Sequence, residues 1–350
     1  VSDSSATTTT TDGDQAPVEQ TEGQATPSRK PKLGGGLGLG QTLGLVLALV
    51  LLLVIGTVTA GDRFLSVPNM LVILQQAAVI GVISVGMTFV ITAGGIDLSV
   101  GSVMGLATVW ATTWATQNMA GQFGWIVMVL TAVAVGVAAG LVNGLLVAYG
   151  RVVAFIATLA MLVAARGLAE IISGRQTQLV RDSGFTTTFS GDLLGVPKIV
   201  WMFALVAAAG WFVLTRTTFG RRTVAVGGNP EAARLAGINV KRHTMWVFAV
   251  AGLCAGIAAV MMLSRVNSGS SSNGYLYELD AIAAVVIGGT LLAGGRGTIV
   301  GTVLGVLVFQ ILTNVFTQNN LDSSVQALAK GAIIVIAVLL QQRFATVQRR

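Results

Sequence analysis

Residues 93–105 read AGGIDLSVGSVMG, and residues 293–305 read AGGRGTIVGTVLG. Ala93, Gly94, Gly95, Val100, Gly101, Val103 and Gly105 all recur at an offset of 200 residues; Ser102 returns as Thr302 and Met104 as Leu304. Each copy stands where one apolar run gives way to another. Glycine pairs permit backbone angles that other residues resist, so Gly94-Gly95 and Gly294-Gly295 are natural helix breaks. Paired Gly-interrupted spans at corresponding positions point to the transport path of membrane transporters. The repeat is parallel if an even number of spans separates the copies, and inverted if one span is miscounted.

The composition agrees with a membrane protein. Hydrophobic residues make up 53% of the chain and charged residues 10%, against roughly 25% charged in soluble domains. Apolar runs near 20 residues recur along most of the sequence, and they are continuous rather than alternating, which disfavours a barrel. The fold class read from this is an all-α polytopic membrane protein with Gly-broken helices. Ten spans are expected, at 41–60, 68–92, 99–117, 123–149, 152–172, 198–215, 244–265, 279–293, 299–317 and 322–342. The segment 173–197 is the main external loop in this scheme.

Residues 1–39 form a separate tail, rich in Thr, Ser, Gln, Pro and Gly, that lacks the apolar content to fold and is expected to be disordered. No basic-then-apolar pattern opens it, which argues against a signal peptide. The permease-like body is expected at 40–343, with a short basic tail at 344–350. Formal charge is +7, and five of the chain's acids (Asp3, Asp12, Asp14, Glu19, Glu22) lie in the tail. With both termini placed inside, inner segments carry 14 Lys/Arg and outer segments five, Arg63, Arg175, Arg181, Lys198 and Arg265. That is the positive-inside bias of a cytoplasmic membrane protein, and scattered bases without aromatic platforms give no reason to invoke nucleic acid.

The long basic segment between spans is RTTFGRRTVAVGGNPEAARLAGINVKRH, residues 216–243, with six Lys/Arg and one acid, Glu231. Inside it sits a short helix with its own punctuation. Asn229 is the N-cap, Pro230 stands at the first helical position, Glu231, Ala232, Ala233, Arg234, Leu235 and Ala236 follow, and Gly237 falls just past the end. Such a helix is too short to cross a bilayer, so it is expected to touch something on the cytoplasmic side.

Several polar residues lie at membrane depth. Asp97 follows the first break and can cap the next helix through Ser99 or Val100, or contact the solute. Arg166 and Glu170 are four apart and can neutralise each other or line a polar path. Lys330 can snorkel or pair with a carboxylate, Asp322 being about two turns away. Gln75, Gln76 and Asn143 read as interhelical hydrogen-bond partners, and His243, after Lys241 and Arg242, as an interfacial residue. There is one cysteine, Cys254, and no GxxxxGK[ST], HExxH or GxSxG pattern. If ATP is used, a partner binds it, and no metal site is expected.

Four stretches resemble the permeases of bacterial ABC sugar importers, most closely the ribose, xylose and galactose group: TAGGIDLSVGS at 92–102, FIATLAMLVAARGL at 155–168, FGRRTVAVGGNPEAARLAGINV at 219–240, and YELDAIAAVVIGGTLLAGGRGTIVGTVLG at 277–305. The resemblance covers about 40–342. It implies a type II importer fold in which two permease subunits in the lipid bilayer, a homodimer of this chain or this chain with a related permease, form the pathway. ATPase subunits carrying ATP and Mg drive it, an extracytoplasmic binding protein delivers the sugar, and the segment matching 229–237 is the coupling helix. The family often has prolines just before Phe155, where this chain has Val152-Val153-Ala154, and serine where it has Ala236. An ion-coupled secondary transporter using Asp97 or Glu170 is the alternative class. The same ABC machinery carrying a nucleoside, an amino acid or a signalling furanose is another reading, and a membrane enzyme is the weakest.

Overall fold

The computed structural model describes residues 39–347, and side chains at 42–333 together with Val335 and Leu339; the described residues belong to one compact unit. The expected tails at 1–39 and 344–350 therefore lie outside the described residues, apart from residue 39 and the backbone of 344–347. The elements in order are α1 (Leu39–Ala60), α2 (Val67–Thr92), α3 (Val100–Ala111), α4 (Trp114–Phe123), α5 (Ile126–Ala148), α6 (Ala154–Ser173), α7 (Ser183–Phe189), α8 (Lys198–Arg216), α9 (Thr218–Gly228), α10 (Pro230–Leu235), α11 (Val240–Val266), α12 (Tyr277–Ile287), α13 (Ile299–Gln318) and α14 (Ser323–Val347). Strands are confined to two-residue pairs: β1 (Gln178–Leu179) with β4 (Ser268–Gly269), and β2 (Asp192–Leu193) with β3 (Val196–Pro197).

The chain is an all-α polytopic membrane protein. Among the described residues seven helices, α1, α2, α5, α6, α8, α11 and α13, are long and apolar enough to cross a bilayer. Two of the expected spans are shorter than read. The stretch 99–117 divides into α3 and α4 at Thr112–Thr113, where the Thr113 hydroxyl accepts from the Thr116 N–H. The stretch 279–293 ends as α12 at Ile287, because Gly288-Gly289 follows and Gly289 takes φ +90°. At 1.5 Å per residue α3 and α12 rise about 16–18 Å, well short of the roughly 30 Å hydrocarbon layer.

Helices α2 and α11 form the centre. Every residue of α2 from Ala77 to Thr92 is buried, so this helix is apolar all round because protein surrounds it. Helix α1 is equally apolar but exposes Leu43, Leu47, Val50, Leu51, Val54 and Val58, the surface a bilayer covers. The tightest seam joins α5 to α11. Gly136, Gly140 and Gly144, four residues apart, face Gly252, Gly256 and Met245; a Cβ on Gly140 would come within 3.0 Å of the Gly252 Cα. Close backbone approach at small residues is how helices gain contact where no hydrophobic force drives them together.

The two ends of the molecule differ. At one end α2 starts and α13 finishes, clasped by amides: Asn69 and Asn314 exchange two hydrogen bonds of 3.0 and 2.9 Å, and Gln318 donates to Asn69 at 2.8 Å. At the other end α2 finishes, α9 and α10 lie, and α11 begins. That second end carries the candidate site.

Candidate functional site

The two copies of the repeat touch. Gly94 and Gly294 stand beside the opposing break, with Gly94 at φ +85°, Gly294 at +81° and Gly295 at +77°, angles that favour glycine. The Gly295 N–H donates to the Thr92 carbonyl at 2.9 Å, and a Cβ on Gly294 would lie 2.9 Å from the Gly94 Cα. Helices α2 and α12 run into this junction, and α3 and α13 run out of it, which is the parallel form of the repeat. The shared glycines also do matching work: a Cβ on Gly101 would strike Glu278 and Gly274, and one on Gly301 would strike the Gly288 carbonyl.

Behind the first break, Asp97 is 2% exposed and accepts from the Ser99 N–H at 2.8 Å and the Ser99 hydroxyl at 2.6 Å; Ser99 itself is the N-cap of α3, so Asp97 holds the cap residue and bonds no N–H of the helix. Asn143 on α5 donates to the Ser99 hydroxyl at 2.8 Å, tying α5 to the cap. Asn143 Oδ1 is buried without a partner. The second copy has Gly297 where the first has Asp97. There Thr298 caps α13 itself, accepting from the Gly301 N–H at 3.2 Å, and Thr302 bonds Thr88 of α2 at 2.7 Å. Asp97 in the first copy and Arg296 in the second, opposite Gly297 and Ile96, distinguish the two breaks.

The charges at depth pair differently from the simplest reading of their spacing. Arg166 does not bond Glu170: its Nη1 donates to the carbonyls of Ser271 and Asn273, the latter at 3.1 Å, in the loop before α12. Glu170 instead pairs with Arg175 at 3.2 Å, an exposed contact past the end of α6. Lys330 reaches Asp280 on α12 at 3.3 Å, not Asp322, and lies 5.1 Å over the Phe309 ring. The i,i+4 rule says which side chains can meet; it does not weigh carbonyls brought in from elsewhere in the chain.

The segment 216–243 folds into two helices. Thr217 caps α9, accepting from Gly220 at 3.4 Å. Asn229 Oδ1 then accepts from the N–H groups of Glu231 and Ala232 at 3.1 and 3.0 Å, opening α10 at Pro230. The helix closes one residue before the sequence reading, at Leu235, with Ala236 as C-cap and Gly237 at φ +83°. The Ile238 N–H returns to the Ala233 carbonyl at 3.0 Å, as in the left-handed C-terminal motif. Of Asn229 to Gly237 only Ala233 is buried, and Leu235 is 76% exposed. Arg234 hydrogen-bonds Glu231 and holds its carboxyl below the usual range, while Glu231 raises the guanidinium in return. His243, in the first turn of α11, is enclosed by protein: it is 6% exposed, its Nε2 lies 3.0 Å from the Thr223 hydroxyl, and its ring sits 4.7 Å from Phe219. It fastens α9 to α11.

Sequence reasoning missed the α5 seam, the Asn69–Asn314 clasp and the Gly227-Gly228 pair at the end of α9. The four-residue spacing of Gly136, Gly140 and Gly144 was a signal for the first. The described residues hold no group of three or more His, Cys, Asp or Glu placed to bind a metal.

The profile of the family described as "Branched-chain amino acid transport system / permease component" matches residues 69–338. The ribose import permease protein RbsC of Escherichia coli K12 is 40% identical over 293 residues, covering 81% of this chain and 89% of its own. RbsC of Bacillus subtilis is 39% identical over 282 residues, covering 80% and 86%. The xylose transport system permease protein XylH of Escherichia coli K12 is 36% identical over 349 aligned positions, covering 81% and 86%. No solved structure matches. A match of this extent to both profile and relatives makes the chain a member of the family of permease subunits of bacterial ABC sugar importers, a transporter component rather than an enzyme.

Proposed function

We propose that this chain is the membrane subunit of an importer that passes a monosaccharide of the ribose or xylose class through the bacterial inner membrane. ATP with Mg is bound and hydrolysed by a separate ATPase, a binding protein outside supplies the sugar, and a second copy of the chain completes the pathway in the lipid bilayer. The reading takes ten crossings of the type II arrangement, in which α3 and α12 are partial spans and α14 the last, with both termini in the cytoplasm. Coupling is assigned to Asn229–Gly237, and the pathway or its moving parts to Gly94, Gly95, Asp97, Ser99, Gly294 and Gly295.

The observation that carries it is the form of α10. A helix capped at both ends, on the basic side of the molecule, presents Leu235 outward at 76% exposure with a Glu231–Arg234 pair beside it. An isolated apolar side chain held that rigidly suits a socket on another protein. Deleting residues 229–237 should abolish uptake while membrane insertion persists. Sugar-stimulated ATP hydrolysis that survives the deletion would refute the assignment. The family profile's description supports a second reading, a branched-chain amino acid as solute. Competition of radiolabelled D-ribose or D-xylose uptake by leucine separates the two.

A further inference from the structure

The glycines of the two repeat copies are accounted for by the breaks, but Gly227 and Gly228 are not. Both lie in the last turn of α9, where each glycine costs a helix about 1 kcal/mol relative to alanine. Neither takes a left-handed angle, so conformation does not demand them. Space demands one of them. A Cβ on Gly227 would strike the Thr92 carbonyl oxygen and come within 2.7 Å of the Gly295 nitrogen. These are the two atoms whose 2.9 Å hydrogen bond joins the repeat copies. A Cβ on Gly228 would meet nothing nearer than the Gly295 Cα at 3.8 Å.

We infer that Gly227 is a positioning residue for transport: it seats the end of α9 directly on the Thr92–Gly295 bond, so that movement of α10 reaches both broken segments through one backbone contact. This rests on the reading of α10 as the ATPase-docking element. Only Asn229 separates α9 from α10, and its N–H still bonds the Ala225 carbonyl at 3.1 Å, so the two helices move as one piece. The Thr223–His243 bond ties that piece to α11 but leaves its last turn on the junction. The path needs no relay through the long helices. It involves three points of the chain, around 92–95, Gly227 and 294–295, separated in sequence by more than a hundred and by more than sixty residues.

The test uses the complete permease–ATPase complex, purified through a tag on this chain. Hydrogen exchange is measured with and without ATP and vanadate. Peptides covering 224–237, 90–97 and 292–298 should change protection together. A change in 224–237 that leaves both breaks unaffected overturns the inference while the docking assignment stands. No change in 224–237 overturns the docking assignment and the inference with it. In proteoliposomes, Gly227→Ala should lower D-ribose uptake per ATP hydrolysed about tenfold, whereas Gly228→Ala stays within about twofold. A purely structural role would reduce the amount of complex without altering that ratio. Equal ratios for the two variants would overturn the assignment to Gly227.

Discussion

Removing either member of the Asp280–Lys330 pair should damage the protein far more than removing both. The ammonium sits 3.3 Å from the carboxylate, with side-chain exposures of 22% and 16% before any lipid is counted. Two unit charges at that distance attract by roughly 5 kcal/mol at an effective dielectric near 20. Most of that attraction offsets the cost of taking both groups out of water, so the intact pair adds little net stability. Asp280→Asn leaves an ammonium facing the Phe309 ring and the bundle; Lys330→Met leaves a bare carboxylate on α12. Each single change is expected to cost about 3–5 kcal/mol, and the double variant to lie within about 1 kcal/mol of the parent. The four proteins would be unfolded by SDS titration in mixed micelles, and the interaction energy taken from the cycle. A coupling of roughly 5 kcal/mol or more is expected. Single variants indistinguishable from the parent, or a double variant equal to the sum of the singles, would refute the reasoning.

Three further outcomes follow from the same geometry. Gly140→Leu should prevent close contact between α5 and α11 and lower the yield of folded protein severely, while Gly121→Ala, in open space on α4, should be neutral or gain up to about 1 kcal/mol; size-exclusion profiles and thermal inactivation decide it. Asn229→Ala removes both cap hydrogen bonds and should destabilise α10 by about 1 kcal/mol, seen as roughly fivefold faster amide exchange at Ala232 and Ala233, and unchanged exchange would exclude a capping role. The Glu231 carboxyl is held low by Arg234, so its contribution to α10 is present above the ordinary glutamate pKa and is lost as pH falls through its lowered value; Arg234→Gln should return the carboxyl titration, followed by carbon NMR, toward the ordinary range.

The architecture was legible where one local rule dominated. Continuous apolar runs announced helices, the Asn229–Pro230 start and Gly237 stop bounded α10 to within a residue, and Asp97 accepts from the Ser99 N–H at the approach to α3. The misreadings arose where distant groups competed. Arg166 gives its hydrogen bonds not to the carboxylate one turn away but to two carbonyls more than a hundred residues on, while Glu170 acts on it only through its field. His243 looked interfacial beside Lys241 and Arg242, yet the fold of α9 back onto α11 encloses it. Apolar content alone extended the span at 279–293 through Gly288-Gly289, where the backbone turns. Gly227 had no legible role at all, since its reason lies in atoms of two other segments.

The amide clasp between Asn69, Asn314 and Gln318 sits at the opposite end of α2 from the glycine junction. The clasp at one end and the glycine junction at the other make α2 a lever that pivots on the amides. Over 26 residues α2 is about 39 Å long, so a tilt of about 5° around the pivot would sweep its inner tip through about 3 Å. Small rotations at the amides would thus become displacements the size of a water molecule at the glycine junction, and the stiffness of three side-chain amides would set how readily that junction moves.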